Sequence, residues 1–104
     1  MADNSLSRDA SGRLTFEMSN IPGESYLAIC SEVAEAWQLE RTGMLITDFL
    51  SIFSQDYRRG SEVVGLEWDN WSGFIVVAKT PESEALVEAI ADWLSNSKWA
   101  RLSK

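Results

Sequence analysis

The 104-residue chain is 45% apolar and 11% aromatic, enough for one hydrophobic core burying roughly 65% of the surface an unfolded chain exposes, and too short for a second domain. Sixteen acids against nine bases leave a net charge of -7, a field that repels phosphate backbones and anionic headgroups, so neither nucleic acid nor a membrane surface is an expected partner. With no histidine and one cysteine, a Ser-His-Asp or Cys-His arrangement cannot be assembled, a zinc site lacks ligands, and no internal disulfide can form.

Residues 1–11 (MADNSLSRDAS) mix Asp, Asn, Ser and Arg around a single Leu, and they are expected to be a flexible tail ahead of one domain over residues 12–104. They hold no apolar run after a basic start, so no secretory signal is expected, and the lone Cys30 agrees with a cytoplasmic location. Strict alternation over residues 13–18 places Leu14, Phe16 and Met18 on one side, the pattern of a half-buried strand. Pro22 and Gly23 break it. Tyr26, Ile29, Cys30, Val33, Ala34 and Trp37 then recur at helical spacing, with Arg41 expected in the last helical turn and Gly43 as the stop.

Residues 44–57 (MLITDFLSIFSQDY) fit either a helix or a strand; their Ile, Thr and Phe content favours one strand, regular or bulged. Arg58 to Ser61 makes a turn. Val64, Leu66 and Trp68 alternate, Asp69 to Gly73 supplies turn residues, and FIVVA follows, which reads as a hairpin. Thr80 and Pro81 predict a helix start with a hydroxyl cap, and Leu86, Ile90, Trp93 and Leu94 form its buried stripe. A basic C-terminal segment ends the chain, with Trp99 and Leu102 able to pack back on the body. The expected fold class is α+β: a two-layer sandwich with an antiparallel or mixed sheet of three to four strands and two helices on one face, in the order β-α-β-β-β-α.

Few residues offer chemistry. Cys30 lies on the apolar side of its helix with no nearby base to lower its pKa, the position of a small core residue. Glu67 and Asp69, two apart on a strand, face the same way and offer oxygens to Mg²⁺ or Ca²⁺, yet solvated carboxylates beside a turn look the same. Arg58 and Arg59 are able to grip an anion, although such a pair more often keeps a turn soluble. No cofactor or bound metal is expected.

Two features stand above this background. Residues 24–40 hold Glu24, Glu32, Glu35 and Glu40, and residues 82–96 hold Glu82, Glu84, Glu88 and Asp92, with no base in either span. Helices covering one face would make that layer acidic and steer a basic partner, with Glu32, Glu35, Glu84, Glu88 and Asp92 as contacts; an ordinary solvated helix face has the same composition. Trp71 falls in the hairpin connection, where it serves as an interface anchor or folds back to cap the core. The leading expectation is a small acidic non-enzymatic protein-interaction domain binding a basic protein partner. A small-molecule-binding regulatory module with its ligand between helices and sheet is the alternative, a carboxylate- or Mg-dependent enzyme the third reading, and a homodimer through the outer sheet face is also open.

Overall fold

Side chains alternate across a strand, so a chain rich in period-two segments gives its sheet one face to bury and one to leave open. In the computed structural model, which describes residues 5–48 and 51–103, six segments do this. They are β1 (Ser5–Arg8), β2 (Leu14–Met18), β3 (Glu40–Thr47), β4 (Ile52–Arg59), β5 (Glu62–Asp69) and β6 (Gly73–Ala78). They form one sheet in the order β1-β2-β6-β5-β4-β3, antiparallel at every pairing. Helix α1 (Tyr26–Trp37) connects β2 to β3, and α2 (Glu84–Ser95) follows β6. The protein is α+β, as the sequence implies.

The details depart from expectation in four places. The order is β-β-α-β-β-β-β-α with six strands, not β-α-β-β-β-α with three to four. One added strand comes from the segment read as a flexible tail: Ser5–Arg8 pairs with β2, Leu6 opposite Phe16. Pairing through backbone groups needs little apolar content, and the Asp9 carboxylate fixes the turn by accepting from the Ser11 and Arg13 amides, each at 2.9 Å. Residues 1–4 of the expected tail lie outside the described residues.

The other added strand comes from residues 44–57, which are not one strand but parts of two. Asp48 reverses the chain, its carbonyl accepting from the Ser51 amide and its amide donating to Ile52. Helix α1 also stops earlier than Gly43. Gln38 adopts the left-handed conformation at φ 55°, and the amide of buried Leu39 reaches back to the Ala34 carbonyl at 2.8 Å. Burial of Leu39 just past the stop is the hydrophobic contact that accompanies such a helix end, and it releases Arg41 and Gly43 into β3. Thr80 and Pro81 begin the helical segment as expected, as N-cap and first residue of a 3-10 turn (Pro81–Ser83) that runs into α2, but the Thr80 hydroxyl caps no amide: Thr80 Oγ1 meets Ser83 Oγ at 2.6 Å, while Ser83 Oγ accepts from the Val63 amide at 2.7 Å. The wholly buried Ser83 thus ties the start of α2 to β5.

Both helices cover the sheet face built from Phe16 and Met18, Phe74 and Val76, and Leu66 and Trp68. Tyr26 of α1 stacks on Phe53 with ring centroids 5.1 Å apart and donates its hydroxyl proton to the Leu66 carbonyl. Trp37 meets Trp93 edge to face at 5.5 Å, joining α1 to α2. Each large apolar side chain buried in this layer contributes about 1.5–3 kcal/mol. The opposite face, carrying Glu17, Ile75, Glu67, Ser54 and Ile46 in one row, has no helix over it among the described residues.

Candidate functional site

Strand β3 is an edge, and its side chains are mostly in solvent. Met44 is 85% and Ile46 64% exposed, in contrast with the buried apolar residues of β5 and β6. The strand is bulged: Thr42 opposes Asp56 and Ile46 opposes Ser54, so three residues of β3 stand against Gln55 alone. Gly43, at φ 76°, makes the bend. Beneath it the buried Gln55 amide donates to the Thr42, Gly43 and Asp56 carbonyls at 3.1–3.2 Å, satisfying oxygens that the bulge removes from the ladder. The bulge therefore has a fixed shape, with Met44 and Ile46 held outward on it.

Trp71 stands at the same end of the sheet as the β3–β4 turn, because Ile52 is the register partner of Asp69. It does not fold back: it is 81% exposed. Asp69 Oδ1 accepts from the Trp71 and Ser72 amides at 2.9 and 2.6 Å, so the loop that displays the indole is itself tied down. Ile52, also exposed, lies between this hairpin and β3. Glu67 does not join Asp69 in an open carboxylate pair, since Lys79 Nζ approaches it at 3.5 Å and Asp56 at 3.7 Å. The Lys79 stem crosses the outer face over Gly65, where a Cβ would come within 2.7 Å of it.

The acidic helix layer is assembled only in part. Glu40 sits on β3 rather than on a helix. Glu84 forms a forked pair with Arg8 at 2.7 and 3.2 Å, an arrangement that lowers its pKa chiefly through the hydrogen bond. Glu32 is held by Lys98 at 3.3 Å and by the Trp99 indole N–H at 2.9 Å. Cations from outside the helical spans thus occupy two of the five expected contacts. Glu35, Glu88 and Asp92 remain exposed, outside the ion pairs formed among the described residues. Arg58 and Arg59 likewise face Glu40 and Glu62, at 4.0 and 3.0 Å.

Cys30 is 1% exposed in the core side of α1. Burial pushes its thiol up to about 12, and hydrogen bonds with the Tyr26 and Tyr57 hydroxyls only partly oppose that. Tyr57 is likewise raised to about 12, first by burial. A neutral thiol in this place is a poor nucleophile. An unfolded chain loses the cysteine proton near 9.0, whereas the native thiol keeps it, so stability is fully present below pH 9 and falls as pH rises toward 12. Each such group contributes a slope of up to about 1.4 kcal/mol per pH unit. Urea unfolding from pH 8 upward is expected to show this decline, and Cys30→Val a shallower one; equal slopes in the two proteins would contradict the assignment.

Among the described residues no group of three or more Cys, Asp or Glu is placed to hold a metal ion, and no helix is long and apolar enough to cross a membrane. Sequence reading does not single out the exposed Met44 and Ile46; the signal is the apolar run right after Gly43, where a strand is favoured but nothing shows which residues face solvent. No protein-family model, curated protein or solved structure matches this chain, so no activity is carried over from a relative.

Proposed function

We propose that this protein is a non-catalytic protein-binding domain whose docking surface is the β3 edge, with Met44 and Ile46 along it and Trp71 at its end. The observation that carries this reading is the exposure of those three side chains on backbone that hydrogen bonds hold in place. An edge strand presents unpaired amides and carbonyls; the charges of Glu40 and Arg41 and the bulge blunt the first part of β3, whereas the stretch after Gly43 carries no charge and no Pro. An extended segment of a partner adds to such an edge by main-chain hydrogen bonds, while its side chains meet the exposed ones. With a net charge of -7 here, the matching segment alternates apolar residues with Lys or Arg.

The acidic residues take a secondary part. Glu35, Glu88 and Asp92 attract a basic partner over a Debye length of about 8 Å at physiological ionic strength, which affects encounter more than the bound state. The test uses three baits of equal thermal stability in extract from the native host: the wild type, Ile46→Lys, and a Glu35/Glu88/Asp92→Lys triple variant. A protein held by the wild type and lost by Ile46→Lys supports the edge. Loss with the triple variant alone moves the site to the helix face, and identical retention by all three removes the proposal. A second copy of the chain on β3 would appear as concentration-dependent dimerisation that Ile46→Lys abolishes.

A further inference from the structure

Between α1 and the β3–β4 hairpin lies a cleft of about 360 Å³, within the size range of small-ligand sites. Leu27, Ala34 and Leu39 supply apolar walls, with the Tyr57 side chain and Cys30 deeper in. Leu27 is 68% exposed, so its side chain is free to meet a ligand at the rim of the cleft. The polar lining comes from Ser31 and Arg41, and no carboxylate is among the lining residues.

Arg41 is the distinctive member. In this acidic chain Arg8, Arg58, Arg59, Lys79 and Lys98 all face carboxylates within 4.0 Å. Arg13, Arg41 and Arg101 stand outside those pairs, and of the three Arg41 alone lines this cleft; exposed at its mouth, it is the register partner of Tyr57, which sets it on the helix-facing side of β3, and its charge is felt at the Tyr57 hydroxyl. A guanidinium left without an acid, above an apolar cleft, is a fork shaped for a ligand carboxylate.

We propose that this cleft binds a small monocarboxylate with an apolar body, its carboxylate on Arg41 and its hydrocarbon or ring against Leu27, Ala34 and Leu39. Ser31 lies on the same cleft and offers a further hydroxyl, whereas the Tyr57 hydroxyl is engaged with Cys30. The site shares β3 with the docking surface but uses its other side, since Arg41 faces the helices whereas Met44 and Ile46 border the outer side of the sheet, near Lys79, and not this cleft.

Octanoate serves as the probe and octanamide as its neutral counterpart, with calorimetry and amide NMR on the full chain. Octanoate is expected to bind with a Kd on the order of 1 mM or below and to shift resonances around Leu27, Ser31 and Arg41. Arg41→Gln weakens it at least tenfold, Arg41→Lys less, because lysine keeps the charge and loses the fork. Octanamide binds wild type about as weakly as octanoate binds Arg41→Gln. Leu27→Gln, at a position too exposed to threaten folding, weakens both probes. Octanoate bound equally by wild type and Arg41→Gln, shifts confined to another region, or no shift at several millimolar would each overturn the proposal, and none of them bears on Ile46→Lys.

Discussion

Gly73→Ala is expected to destabilise the fold by about 3 kcal/mol or more, lowering Tm by roughly 10–20 °C. Gly73 opens β6 at φ 79°, a left-handed conformation that costs an alanine about 1–2 kcal/mol. Space is the larger difficulty. A Cβ there would stand 2.1 Å from the Met18 carbonyl oxygen and 3.0 Å from the Met18 carbonyl carbon and Ser19 Cα, all backbone atoms with no rotamer to change. Relief requires β2 to withdraw from β6 where Met18 pairs with Phe74, weakening ladder hydrogen bonds worth about 1 kcal/mol each and loosening two wholly buried core residues. Gly12 provides the control: its φ is 82°, but nothing lies within 4 Å of a Cβ built on it, so Gly12→Ala should cost about 1 kcal/mol. Urea or thermal unfolding that finds the two variants equally stable would show that the close approach of β2 is not a constraint.

Trp71→Ala is expected to leave stability within about 0.5 kcal/mol of wild type and to weaken the partner complex about thirtyfold, a loss near 2 kcal/mol. The stability half follows from exposure, since an indole in solvent gives the core little. The binding half follows from the loop: Asp69 already fixes the Trp71 and Ser72 amides, so little ordering cost is left for the partner to meet when the ring is buried. The effect should fall on dissociation, whereas reversing Glu35, Glu88 and Asp92 should slow association and flatten its salt dependence. Surface plasmon resonance on the partner lost by Ile46→Lys separates the two rates. A Trp71→Ala complex that dissociates at the wild-type rate removes Trp71 from the interface and leaves β3 alone as the edge.

Much of this architecture is written in short-range pattern. Leu14, Phe16 and Met18, then Val64, Leu66 and Trp68, repeat every second residue, while Ile29, Cys30 and Val33, then Leu86, Ile90 and Leu94, repeat at helical spacing. These periods belong to the local backbone and so identify the core face of each element without knowledge of its neighbours. Composition likewise excludes histidine chemistry at the outset. Tertiary contact decided the rest. Ser5–Arg8 is too polar to announce a strand and becomes one because β2 offers it an unpaired edge. The MLI run gives no sign of which way its side chains face until β4 pairs with it and the Gln55 amide props the bulge. Two acids of the helices, Glu84 and Glu32, are paired because Arg8 and Lys98, 76 and 66 residues away in the chain, are brought beside them by folding. Arg41 is left facing a cleft because α1 ends at Trp37, before the residue that sequence spacing would have placed in its last turn. Periodicity records which residues avoid water, whereas pairing partners, ion pairs and clefts depend on contacts between distant segments, which no local window of sequence contains.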